Sequence, residues 1–202
     1  MLSDDDQSRI NAAIAEAERG TSGEIVVMVD RAASSYRTLP LVFALVVALL
    51  APWPLVAMTE LSAQRIFLIQ WALAIVLVLL CQWRGAAGRF VPRFIKRRRA
   101  HDVALREFMA RGLTRTSGRT GVLIYVALTE RYAEVVTDTG IADKIDAKVW
   151  RPVMEPLLRA ARAGDLAGGL VYAVDEVGKL LAEHAPASTS NPDELPNKVI
   201  LL

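Results

Sequence analysis

The chain has 202 residues, 53% of them hydrophobic but only 6% aromatic, so its apolar excess is aliphatic. The formal charge of +2 hides an asymmetry: seven basic and no acidic residues lie between Arg84 and Arg99, leaving 17 basic against 22 acidic residues elsewhere. That distribution excludes a chain-wide basic footprint for nucleic acid, and the single cysteine, Cys81, excludes an intrachain disulfide or thiolate cluster.

The N-terminus is polar and acidic, opposite in character to a signal peptide. Ser3 and Asp6 form a capping-box pair ahead of Ile10, Ala13, Ile14 and Ala17, which recur at helical spacing until Gly20 and Gly23. Glu24 to Val29, EIVVMV, then reads as a strand covered on both faces, because its apolar residues run without alternation.

Two charge-free runs follow. Leu39 to Met58 holds twenty residues, enough for a helix of roughly 30 Å, and Ile66 to Trp83 holds eighteen, bracketed by Arg65 and Arg84. Pro52 and Pro54 flank Trp53 in the first run, so either the helix kinks there or it stops near Ala51 with the PWP segment at the membrane interface. Gln70 is the clear polar residue of the second run and is placed to hydrogen-bond to the first. Only Thr59 to Arg65 separates the runs, which predicts an antiparallel transmembrane hairpin. The basic segment after it, against Arg65 beside Glu60 in the loop, places both termini in the cytoplasm of a multi-pass protein of the inner (plasma) membrane. Residues 84–99 mix arginines with Phe90, Val91, Phe94 and Ile95, a composition suited to anionic lipid headgroups.

Beyond the hairpin, Val103 to Leu113 reads as a helix with Leu105, Phe108 and Met109 facing a core. Val122 to Leu128 and Tyr132 to Thr137 read as a β-hairpin around Thr129-Glu130-Arg131. Helices follow from Gly140, from Trp150 to Ala163, and from Gly168 to Glu183, before a tail rich in Pro, Ser and Asn whose Val199 to Leu202 could dock on the domain. One helix and one strand before the hairpin cannot form a core alone. The fold expected is therefore an α/β class, small three-layer α/β/α domain interrupted by a transmembrane helical hairpin, with the first two strands parallel. Its parts are residues 1–38 (first helix and strand), 39–83 (hairpin), 84–100 (basic segment), 101–184 (remainder of the domain) and 185–202 (extended tail).

These segments resemble the TPM domain family, named after plant thylakoid and nematode relatives, and in particular its bacterial membrane-attached members. The resemblance is carried by AIAEAERGTSGEIVVMV at Ala13 to Val29, FMARGLTRTSGRTGVLIYVALTERYAEVVTDTGIADKI at Phe108 to Ile145, Trp150, Gly168-Gly169-Leu170 and DELPNKV at Asp193 to Val199. It implies an α/β/α fold. Some relatives are acid phosphatase-like or bind calcium, and others serve in photosystem repair or receptor clustering. The family's aspartate-x-glycine corresponds to Asp138 and Gly140, its acidic position after the penultimate helix to Asp165, and its tryptophan to Trp150.

Asp138 follows a strand, and Asp143 could share its rim; hard oxygen ligands of this kind suit calcium or magnesium, with Asp138 the first metal ligand to consider. Equally, Asp138 could cap the helix near Gly140 and Asp165 the last helix. Arg119, in SGRTG, could hold a phosphate within a cluster of Asp138, Asp143, Asp165 and Arg119, or form a plain salt bridge to Asp138. Glu24 and Trp150 read as structural. His101 and His184 have no visible acid or nucleophile partner, and SGRTG lacks the length and lysine of a phosphate loop. Two functions remain: a membrane-anchored interaction or assembly module with a membrane or cytoplasmic protein partner, or a divalent-metal-dependent phosphatase.

Overall fold

The computed structural model describes residues 2–33, 38–82, 91–187 and 198–202. The expected features at Trp83 to Phe90, and Asp193 to Asn197 of the tail motif, lie outside the described residues. The chain divides into two units, Met1–Ala33 with Arg97–Leu202, and Ser34–Lys96.

The first unit opens with α1 (Asp4–Glu18), whose capping box is formed: the Ser3 hydroxyl accepts from the Asp6 N–H at 3.1 Å, and Asp6 accepts from the Ser3 N–H at 2.9 Å. Strand β1 (Glu24–Asp30) is buried along its whole length. After the inserted unit come the crossover helix α5 (Arg93–Ala110), a short 3-10 turn at Leu113–Arg115, and strands β2 (Gly121–Ala127) and β3 (Tyr132–Thr137). Helices α6 (Thr139–Ala142), α7 (Ala147–Ala163) and α8 (Leu166–His184) precede a short strand β4 (Ile200–Leu201). The sheet order is β3-β2-β1-β4, with β1 parallel to both β2 and β4, and β2 antiparallel to β3. The parallel pairing of the first two strands and the docking of the tail's end are as the sequence suggests.

Because side chains alternate across a strand, the sheet presents two apolar faces. Ile25, Val27 and Val29 of β1 with Val122, Ile124 and Val126 of β2 meet α1, α7 and α8. Val26, Met28, Leu123 and Tyr125 meet α5 on the opposite face. The domain is therefore α/β/α, as expected. Helix α8 approaches α1 so closely that a Cβ at Gly178 would lie 2.6 Å from the Ala17 Cβ, which explains a glycine in a helix interior.

Three local expectations are corrected. Helix α5 begins at Arg93, so the basic residues from Arg93 to Arg99 form its first turns. Its core stripe is Ala100, Val103, Ala104 and Phe108, spaced at i, i+3, i+4 and i+8; Leu105 and Met109 lie off that stripe and are exposed. Helix α7 starts at Ala147 behind the Asp146 cap, which puts both Pro152 and Pro156 inside it.

The second unit contains α2 (Thr38–Leu50), α3 (Pro52–Met58) and α4 (Ala63–Gln82). Ala51 between α2 and α3 keeps helical dihedrals, and its N–H still donates to the Val47 carbonyl at 3.0 Å, so the proline pair interrupts the helix without reversing the chain. Ala44 and Ala48, one turn apart, are buried where α2 packs along α4, the small-residue contact expected between membrane helices. Phe67 and Trp71 stack edge to face at 6.1 Å. Gln70 borders a hollow with Val56, Thr59, Leu61 and Ile66 near the turn. Two 18-residue windows, Leu41–Met58 and Ala63–Leu80, have mean hydropathies of 2.4 and 2.0 with 11% and 6% of their residues buried. Two helices are thus long and apolar enough to cross a membrane, and unlike core helices of a soluble protein they leave their apolar sides uncovered.

Candidate functional site

The residues singled out by sequence are divided between opposite edges of the domain. Strand β3 runs antiparallel to β2, so Asp138 at its end lies beside Gly121 at the beginning of β2; its N–H donates to the Gly121 carbonyl at 2.9 Å. The edge it occupies is the amino end of the parallel strands, not the carboxyl end where open α/β sheets hold ligands. Asp138 caps α6: Oδ1 accepts from the Thr139 N–H at 2.7 Å, while Oδ2 is buried with no hydrogen-bond partner. Arg119 has a left-handed backbone (φ 51°) and an exposed side chain. Its carbonyl accepts from the Gly140 N–H at 3.0 Å, and a Cβ at Gly140 would fall 2.7 Å from that same oxygen. Backbone contact thus joins the SGRTG loop to the Asp138 turn, and the glycine of the aspartate-x-glycine pattern is needed for that close approach. Among the described residues Arg119 forms no ion pair with Asp138.

Asp143 ends α6 and Asp146 caps α7, accepting from the Lys148 N–H at 2.8 Å. Asp165 caps α8 through the Gly168 N–H at 2.9 Å. Helix α8 spans roughly 28 Å and finishes where the Ala185 carbonyl accepts from the Ser22 N–H, near the start of β1. Asp165 therefore lies at the far end of the domain from Asp138. Trp150 is buried in the core against the sheet. Among the described residues no group of three or more His, Cys, Asp or Glu side chains is arranged to hold a metal ion.

The carboxyl edge of the parallel strands holds residues that sequence reasoning missed. Asp30 at the end of β1 accepts from the Tyr125 hydroxyl at 3.0 Å through Oδ2 and from the Ala32 N–H at 2.9 Å through Oδ1. Glu130, in the β2–β3 turn, is 9% exposed, and both of its carboxylate oxygens are buried without a partner. Burial, then the Asp30 charge and hydrogen bond, then Glu130 and Glu107, push the Tyr125 hydroxyl well above the ordinary tyrosine range, so it stays a donor. Only register could have exposed this group: Asp30 pairs with Ala127, which brings the turn after β2 to the end of β1.

A groove of about 820 Å³ wraps the edge strand β3, walled by α7 on one side and α5 on the other. In it Glu134 Oε2 accepts from the Tyr132 hydroxyl at 2.9 Å and lies 2.9 Å from His101 Nδ1. Glu134 Oε1 is buried and unpartnered. Burial first and Glu134 second raise the Tyr132 hydroxyl above its usual range. His101 thus has an acid partner after all, supplied from 33 residues downstream by the sheet.

A central sheet covered by helices on both faces, entered by a parallel crossover and edged by an antiparallel strand, defines the class as a small α/β/α domain. The family model of the TPM domain matches residues 90–180 of this chain. A similar solved structure is the NMR structure of the BA42 protein from the psychrophilic bacterium Bizionia argentinensis, at 21% identity over 100% of this chain and 96% of that one, with a TM-score of 0.62. That likeness bears on the fold. Among curated proteins none matches this chain. The match begins close to α5, yet β1 pairs with β2 over seven residues, so the segment before the inserted helices completes the same sheet.

Proposed function

We propose that the chain is a membrane-anchored TPM domain that serves as an interaction or assembly module, held on the cytoplasmic side by an α2–α4 hairpin. The observation that carries this reading is the pair of apolar helices, only 11% and 6% buried over their apolar windows, inserted between β1 and the crossover helix of an otherwise complete domain. Residues Arg93 to Arg99 follow that insertion and suit an anionic headgroup layer, each cation contributing about 1 kcal/mol near such a surface. Asp138 and Asp165, to which family resemblance pointed, serve as helix caps, which favours binding over carboxylate catalysis. Affinity isolation of the full-length chain from detergent extracts is expected to recover one specific protein, lost when the domain is unfolded by a core substitution. Recovery of nothing reproducible contradicts the reading.

A second reading, a divalent-metal-dependent phosphatase, is favoured by the orphaned carboxylate oxygens of Glu130 beside Asp30, which suit a hard cation such as calcium or magnesium. A bound ion there would supply a Lewis acid for a phosphoryl oxygen. The chain's own contribution would be to hold Asp30 in place through Tyr125. Calorimetric titration with calcium and magnesium tests it: heat that disappears in Glu130→Gln supports the Asp30 edge, heat that disappears in Asp138→Asn supports the amino edge, and no heat at millimolar ion removes the reading.

A further inference from the structure

Strand β3 is an edge strand of the sheet. The Asp138 N–H donates to the Gly121 carbonyl and the Glu24 N–H to the Thr120 carbonyl. Since successive residues of a strand aim their backbone groups to opposite sides, Tyr132, Glu134 and Val136 bond back to β2. The N–H and C=O groups of Ala133, Val135 and Thr137 therefore face outward, into the groove between α7 and α5. Met154 and Leu158 give that groove an apolar wall.

Its charge is one-sided. Arg97, Arg131, Arg151, Arg159 and Arg162 line it against Glu134 and Glu155. Both carboxylates are engaged, Glu134 by Tyr132 and His101 and Glu155 by Arg151. Among the described residues, the remaining four arginines have no ion-pair partner.

An open strand edge gives main-chain affinity, and flanking side chains give selectivity. We propose that the groove takes an extended acidic peptide of a partner protein as an added strand beside β3, with aliphatic side chains against Met154 and Leu158 and carboxylates on the arginines. The inference rests on the interaction-module reading and names the chemistry of the partner.

The test uses the full chain in phosphatidylcholine nanodiscs and, as probe, a fluorescein-labelled decapeptide alternating valine and glutamate, followed by anisotropy. Saturable binding is expected, at least tenfold weaker in the double variant Arg97→Glu/Arg159→Glu, whose positions are exposed on helices and outside the core. The same peptide N-methylated on its central amides, and a peptide with lysine for glutamate, should each lose at least tenfold. Equal binding of the N-methylated peptide overturns the added strand, and equal binding of the lysine peptide overturns the acidic preference. Absence of saturable binding to the unaltered chain overturns the groove as a site; a specific partner still recovered from extracts would then leave the module reading standing on another surface.

Discussion

Helices α4 and α8 are nearly equal in length, 20 and 19 residues, and both are rich in aliphatic side chains, yet they solve different problems. In α8, Leu170, Val174, Val177 and Leu181 form one buried stripe, while Asp175, Glu176, Lys179 and Glu183 lie off that stripe. Its stability comes from covering the sheet. In α4 the only charged residue is Arg65, and Phe67, Leu68, Ile75 and Leu79 are each more than half exposed. Each such side chain would cost roughly 1.5–3 kcal/mol to leave in water rather than bury, a penalty a hydrocarbon environment relieves. What sets the two helices apart is the charged stripe that α8 carries and α4 lacks.

The largest expected effect sharpens this contrast. Ile124→Ala, in the sheet's core, should lower the domain's unfolding free energy by roughly 2–5 kcal/mol in urea titrations, whereas Ile75→Ala in α4 should change it by less than about 0.5 kcal/mol. A comparable loss from both would break the comparison. Next, Ile75→Asp should disfavour membrane insertion by about 3 kcal/mol in a translocation assay without altering the domain's unfolding. Tyr125→Phe removes the donor to Asp30 Oδ2 and should cost about 2 kcal/mol, read from the urea midpoint. Asp138→Ala removes the α6 cap and should cost about 1 kcal/mol by the same titration.

The smallest effect concerns pH. Hydrogen bonds from the Ser3 backbone and hydroxyl hold the Asp6 carboxyl below its ordinary 3.8. A depressed folded pKa stabilises above the unfolded value and loses that contribution as pH falls through the folded one. The melting temperatures of the wild type and Asp6→Asn should therefore differ at neutral pH and converge below pH 3.8.

The apolar runs, the strand pair and the caps were legible in sequence because each depends on neighbours within a few positions. Ser3 with Asp6, and Asp165 with Gly168, are local geometry. Of the α5 core stripe only Phe108 is legible in sequence, because Ala100 and Ala104 are small and carry little hydropathy signal, while the exposed Leu105 and Met109 carry more. The candidate site was less legible. Asp138 follows a strand, as ligand-holding carboxylates do, but that strand is the returning arm of the hairpin read from sequence, so its end lies at the amino edge of the parallel pair, beside the SGRTG loop. Likewise, 95 positions separate Tyr125 from Asp30 and 33 separate His101 from Glu134, contacts that register makes and spacing hides.

The most direct test of the account is the distribution of the full-length chain after cell breakage, an alkaline carbonate wash and high-speed centrifugation. Retention in the pellet until detergent is added is the expected result, because α2 to α4 expose their apolar sides. Recovery as a detergent-free monomer in the supernatant would contradict it.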